Sequence, residues 1–255
     1  MSDVSEWWST SIIEMEPGSI SLRGMPIENL IGNKSFVEMI WLMTTGDQIN
    51  GKKSALLEAA LVAAVDHGPQ APSIAAARMS ATCGVDINNS LATGINVLGD
   101  IHGGAGQQAL ELYVEIKKEG IENIDNVLKK HKDMNGGFIP GFGHRFHKPT
   151  DPRAPRLIEL VNAAADQGEV SGAFSKIACE IEERLSNKKP VPMNIDGATA
   201  VIYAELGCPP PLARGLFCIS RSVGILAHTW EQMQKDERIK GPTPPSYGWK
   251  YKGNE

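Results

Sequence analysis

Three glycine-marked segments of the 255-residue chain each carry one side chain able to handle a proton. His102 lies in Ile-His-Gly-Gly, His144 in Gly-Phe-Gly-His and Asp196 in Asn-Ile-Asp-Gly. Singly, each has an ordinary structural reading, because a loop histidine beside glycine is often a satisfied polar group and Asp-Gly is commonly a turn or a cap. Together they supply two imidazoles and a carboxylate, the groups needed to move a proton next to a carbonyl.

The segment around His144 is also the densest in cations and turn formers. Ile139 to Arg153 holds Gly141, Gly143, three prolines, His144, His147, Arg145, Lys148 and Arg153. The glycines free the backbone for positive φ or close approach to a ligand. Asp151-Pro152 reads as an N-cap and first helical residue, so the loop runs into a helix. A cationic glycine loop at a helix N-terminus suits an anionic ligand.

The elements that must position these residues are helical. Apolar residues recur at helical spacing in Phe36–Met43, Ala55–Val65, Ala71–Ala81, Ser90–Gly99, Gln107–Lys118, Ile121–Leu128, Arg156–Gln167, Phe174–Leu185, Asp196–Leu206 and Leu212–Met233. Ser54 is the expected cap of the second of these, which is apolar all round and should be central. The first 35 residues read as irregular or short-stranded, with no convincing period-2 strands elsewhere. The expected fold class is therefore all-α, with some ten helices joined by short glycine loops.

Composition narrows the function. A net charge of −5 from 25 basic and 30 acidic residues argues against a nucleic-acid surface. No apolar run approaches a membrane span, and the first residues lack the basic and apolar regions of a signal peptide, so a cytoplasmic protein is expected. Cys83, Cys179, Cys208 and Cys218 form no Cys-x-x-Cys pair and read as reduced core thiols. Gly46 to Lys53 nearly spells a phosphate-binding loop, but Lys53 stands where the Mg²⁺-binding hydroxyl belongs, and it reads as a solvated turn. His144 and His147, with His102 and Asp196, could form a metal site and hence a hydrolase, but one i,i+3 pair is thin support, and no metal is expected.

Leu-Gly-Asp-Ile-His-Gly-Gly-Ala, Pro-Gly-Phe-Gly-His-Arg-x-x-Lys-x-x-Asp-Pro-Arg, Asn-Ile-Asp-Gly and Ser-Arg-Ser-Val-Gly-Ile-Leu-Ala-His occur in that order. They resemble the citrate synthase superfamily, which includes citryl-CoA lyases and the C-terminal part of ATP-citrate lyase. The resemblance runs from about Ser19 to Arg238 and implies a large domain (1–102 and 206–255, shortened) and a small domain (103–205) with the active site between them. It implies a homodimer acting on an acyl-CoA and a keto-dicarboxylate, with CoA as part of the substrate and no permanently bound cofactor. By position, His102 would hydrogen-bond the thioester carbonyl, Asp196 would remove the acetyl proton and His144 would polarise the keto group. His67, Arg153 and Arg221 would bind the keto-acid, and Gly141, Phe142, Gly143, Arg145 and Lys148 would receive CoA. The family's C-terminal Arg-Pro is replaced by Gly241-Pro242, and the helical stretch before His67 is short. These departures favour citryl-CoA lyase activity over citrate synthase, with another keto-acid or acyl-CoA left open.

Overall fold

The computed structural model describes residues 4–144, 147–187, 189–244 and 246–253. The chain gathers into two compact units, divided after Glu58.

The first unit holds α1 (Val4–Trp7), β1 (Ile13–Glu16), β2 (Ser19–Leu22), β3 (Met25–Pro26), α2 (Ile27–Leu30), α3 (Phe36–Thr45) and the start of α4 (Gly51–Ala64). The strands form an antiparallel meander in the order β1-β2-β3, with Ile13 opposite Leu22 and Ser21 opposite Pro26. This is the short-stranded region expected from the sequence. A capping box starts α3, since Ser35 Oγ accepts from Glu38 N–H while the Glu38 carboxylate accepts from Ser35 N–H. The next helix starts earlier than expected. Ser54 does not cap α4; it lies inside the first turn and donates its hydroxyl to Gly51 O at 3.0 Å. The exposed Lys52 and Lys53 are good helix formers, so nothing halts the helix before Gly51. Nor is α4 buried on every side, because Val62 is 62% exposed.

The second unit contains α5 (Pro72–Thr82), α6 (Ile87–Asn96), α7 (Ala105–Glu119), α8 (Ile124–Met134), α9 (Arg153–Asp166), α10 (Ala173–Ser186), α11 (Ile195–Glu205) and α12 (Pro210–Met233). Two packing groups position the site. In one, α7, α9 and α10 surround α11, whose residues from Gly197 to Ala204 are all buried. Such a helix, lined by Ala198, Ala200, Val201, Ile202 and Tyr203, has no polar face to offer solvent. In the other, α12 lies across α5, α6 and α7. Gly94 of α6 makes this crossing tight: a Cβ there would come within 2.7 Å of Ile225 Cγ2 and 2.8 Å of Ser73 O. Beyond α12 the chain returns to the end of α5, where Thr82 O accepts from Ile239 N–H at 2.9 Å. The helical architecture agrees with the sequence reading, with one small sheet in the first unit.

Candidate functional site

The long helix α12 fixes the segment that carries His67. Ser220 Oγ donates to Leu61 O at 2.5 Å, Arg221 Nε to Ala64 O at 3.1 Å and Gly224 N to Val65 O at 3.1 Å. Two adjacent turns of α12 are thus zipped to the end of α4 and the residue after it. Only glycine fits at 224, because a Cβ would overlap the Val65 carbonyl oxygen. Arg221 is left 5% exposed, with its guanidinium over the Phe217 ring at 4.9 Å. His67 follows at the surface of the same segment. Burial and the cations Arg221 and Arg153 lower its pKa.

His102 is held by the first turn of α5. The Ser73 N–H, one of the donors a helix start leaves without an intrahelical partner, donates to His102 Nε2 at 3.2 Å. Ser73 Oγ lies 3.0 Å from the same nitrogen. An imidazole nitrogen that accepts from a backbone N–H carries no proton, so in the neutral ring the proton sits on Nδ1. Burial, and then the Arg221 charge, lower the pKa further. A neutral His102 therefore carries its proton on Nδ1, where it is placed to act as a donor.

The glycine loop reaches Asp196 through a short backbone bridge. Phe142 and Met193 form an antiparallel bridge, Gly143 N donates to Pro192 O at 2.7 Å, and Asn194 N donates to Gly141 O at 3.0 Å. Asn194 joins the two segments with its side chain. Its Nδ2 donates to Gly143 O at 2.7 Å while its Oδ1 accepts from Asp196 N and Gly197 N, capping α11. Gly141 has φ +86°, and a Cβ there would lie 2.8 Å from Gly197 Cα, so two glycines let the loop meet the first turn of α11. On the far side of the loop, His144 Nδ1 accepts from His147 N–H at 3.0 Å, which places the His144 proton on Nε2. Burial and His147 lower the His144 pKa, opposed by Asp151. Its ring meets that of His67 edge-on at 5.5 Å.

Asp196 keeps some accessible surface but lies among dense protein atoms, and this burial raises its pKa against the pull of Arg221 and Arg153. Arg153 opens α9 and pairs with Asp151, Nε to Oδ1 at 3.0 Å and Nη2 to Oδ2 at 2.9 Å. The helix starts one residue later than expected. Pro152, not Asp151, is therefore the N-cap residue, and Asp151, one residue earlier, accepts Arg153 N–H on Oδ1 at 3.1 Å.

The structure thus brings His67, His102, His144, Arg153, Asp196 and Arg221 into one electrostatic neighbourhood. It offers two neutral imidazole donors, a carboxylate of raised basicity and two guanidinium groups. Lys148 is exposed at the loop edge, and Arg145 lies outside the described residues. Among the described residues no group of three or more His, Cys, Asp or Glu is placed to hold a metal ion. The 560 Å³ cavity lined by Ala154, Ile158, Cys179, Glu182 and Met193 lies apart from the histidines, along α9 and α10.

Comparison with known proteins decides the family. A model of the citrate synthase C-terminal domain matches residues 43–243. The chain belongs to the citrate synthase family. A citrate synthase of Haloferax volcanii is 28% identical over 219 residues, covering 84% of this chain and 55% of its own. The chain spans about half the length of the curated relatives it matches. The solved structure of citryl-CoA lyase from Hydrogenobacter thermophilus superposes with a TM-score of 0.85 at 31% identity, over 97% of this chain and 95% of that one. ATP citrate lyase from Methanothrix soehngenii, solved with citrate and coenzyme A, shares the fold at 19% identity, with a TM-score of 0.83 over 98% of this chain and 44% of its own.

The sequence alone assigned no role to several residues that hold this candidate site together. Ser73 carried no signal beyond its place near a helix start. Asn194 could have been found, since an Asn before Ile-Asp-Gly is a strong N-cap. Asp151 was seen as a cap but not as the partner of Arg153.

Proposed function

We propose that this protein carries out reversible carbon–carbon bond chemistry on a CoA thioester, of the citryl-CoA lyase type, converting citryl-CoA to acetyl-CoA and oxaloacetate. The observation that carries the reading is the His102 tautomer: a neutral ring, fixed by Ser73, that presents Nδ1–H as a donor. Such a donor stabilises an enolate oxygen without protonating it, and one donor of this kind contributes about 3 kcal/mol.

In the cleavage direction the carbinol proton passes to solvent water as that oxygen becomes the ketone of oxaloacetate, hydrogen-bonded by His144 Nε2–H, and Asp196 takes a proton back from solvent after turnover. The electron pair of the breaking bond passes to the thioester, and protonated Asp196 returns a proton to the resulting enolate carbon. One proton leaves oxygen and one arrives at carbon. In reverse, Asp196 removes the methyl proton of acetyl-CoA, which its raised pKa favours. Arg153, Arg221 and His67 would hold the oxaloacetate carboxylates, each guanidinium offering paired donors. The backbone of Gly141 to Gly143 would receive CoA, with Lys148 and Arg145 toward its phosphates. The Phe142 ring faces Tyr113 at 6.5 Å, so its contribution there is main-chain. Closure of a small domain (103–205) over a large one (1–102 and 206–255) would exclude water from the enolate.

The 31% identity to a citryl-CoA lyase, at a TM-score of 0.85, supports the lyase over the synthase, as does Gly241 at the position the resemblance gives to arginine. Matches to citrate synthases keep synthase activity, with thioester hydrolysis, as the second reading. The four cysteines are free thiols and no described helix is long and apolar enough to cross a membrane, which fits a cytoplasmic setting. Homodimerisation is supported by α12, where Ile219, Val223, Leu226, Trp230 and Met233 are exposed at spacings of four and three, the seam of a helix–helix contact.

Two incubations test the function. Enzyme with citryl-CoA should yield acetyl-CoA and oxaloacetate without free CoA. Rapid CoA release from acetyl-CoA plus oxaloacetate would establish the synthase instead, and inactivity in both would refute the substrate assignment.

A further inference from the structure

Asp151 is fully buried at 0% exposure, yet it has no part in the chemistry above. Its four hydrogen bonds are unusual in what they join. Oδ1 accepts from the N–H and Nε–H of Arg153, and Oδ2 accepts from Arg153 Nη2–H at 2.9 Å and Ile195 N–H at 3.1 Å. A carboxylate offers about four lone-pair positions, so Asp151 is saturated and has no capacity left for a substrate or a proton. Ile195 opens α11 and is the residue before Asp196. The Asp151 carboxylate therefore ties the proposed keto-acid arginine on α9 to the turn that carries the proposed base on α11.

The pairing also divides Arg153. Asp151 occupies the Nε–Nη2 edge, while Nη1 makes only a long contact of 3.5 Å to Ala63 O. The remaining edge is the one a substrate carboxylate can take.

We infer that Asp151 is a positioning residue that locks Arg153 and the start of α11 into one network and cancels the Arg153 charge beside Asp196. The inference rests on the function proposed above. Arg153 and Arg221 each stabilise the Asp196 anion, and Asp151 opposes them, with burial raising the Asp196 pKa overall. The other titratable groups that face this region are His144 on the loop, Tyr113 on α7 and Tyr203 on α11. His144 is already held neutral, and both tyrosines have pKa values pushed above their usual range by burial. Removing the Asp151 charge would leave Arg153 uncompensated and weaken Asp196 as a base.

The test compares Asp151→Asn and Asp151→Glu with wild type, following loss of acetyl-CoA methyl protons in D2O with oxaloacetate, by NMR, across pH. Asp151→Asn should lower the rate on the order of 10- to 100-fold, the usual range for losing a group that orients a first contact. It should also move the acid limb of the profile to lower pH. Asp151→Glu keeps the charge, so its limb should stay at the wild-type position while the rate falls. A group that merely supports folding would lower stability without moving the limb. A folded Asp151→Asn with an unmoved limb overturns the inference. If Asp151→Asn does not fold, Asp151→Glu decides, and a wild-type rate there overturns it. An inactive wild type refutes the proposed function and the inference with it, whereas an active wild type with indifferent variants refutes the inference alone.

Discussion

The assignment of a neutral, Nδ1-protonated His102 has a consequence that two substitutions separate. Asn places a side-chain amide close to where imidazole has Nδ1, and Gln reaches toward where it has Nε2. His102→Asn can keep the donor and lose the acceptor for the Ser73 N–H, which is 3.2 Å from Nε2. His102→Gln can keep that acceptor and lose the donor. If the donor carries the chemistry, His102→Gln forfeits about 3 kcal/mol of transition-state stabilisation, or roughly 100-fold or more in kcat. His102→Asn should retain more activity than His102→Gln. The structural cost is smaller, since an unpaired Ser73 N–H costs about 1–3 kcal/mol and water can reach a half-buried ring position. That leaves most of the stability of an ordinary domain, about 5–15 kcal/mol. The assay is kcat and KM for citryl-CoA cleavage, with a denaturation curve for each variant. KM should change little, because the donor acts on charge that develops only in the transition state. A folded His102→Gln at least as active as His102→Asn would refute the tautomer and with it the role.

Three further outcomes follow from the same geometry. Gly224→Ala should destabilise by about 2–4 kcal/mol in urea unfolding, from overpacking plus loss of the bond to Val65 O, and an unchanged midpoint would show that α12 is not pinned there. The lowered pKa values of His67, His102 and His144 set a sign for stability against pH. Unfolded histidines take up protons near pH 6.5 and the folded ones resist, so the contribution is intact above that pH and is lost as pH falls below it; a urea midpoint that rises from pH 7 to 5.5 contradicts this. Asp196, raised in the fold, works in the opposite sense at lower pH. If the proposed homodimer forms through α12, Val223→Glu, at a position 56% exposed, should leave the fold intact and halve the particle mass in mass photometry, and an unchanged mass would remove α12 from the proposed contact.

The helices were legible because their signals are local. Apolar spacing and glycine stops located α3, α5, α7, α9, α10, α11 and α12 to within a few residues. The errors were local too. Ser54 looked like a cap, but helix formers continued past it, and α6 begins at Ile87 rather than Ser90. The residues of the site were legible as types, since His102, His144 and Asp196 each sit beside glycine. What no local signal could give was their protonation. Ser73 and His102 are 29 positions apart, and Asp151 and Ile195 are 44 apart.

Those long-range contacts share one physical source. A helix start leaves its first N–H groups without intrahelical partners. Here three such starts spend them on the site: α5 through Ser73 on His102, α9 through Arg153 on Asp151, and α11 through Ile195 on Asp151 and through Asp196 and Gly197 on Asn194. A fixed backbone donor aimed at an imidazole nitrogen keeps it unprotonated, and the same donor aimed at a carboxylate keeps it charged. The loops around these helix starts therefore do more than connect, because they decide which N–H meets which side chain. The glycines at 141 and 197 let backbone approach closely enough for that choice to be made, so a methyl group at either should disturb protonation as well as packing.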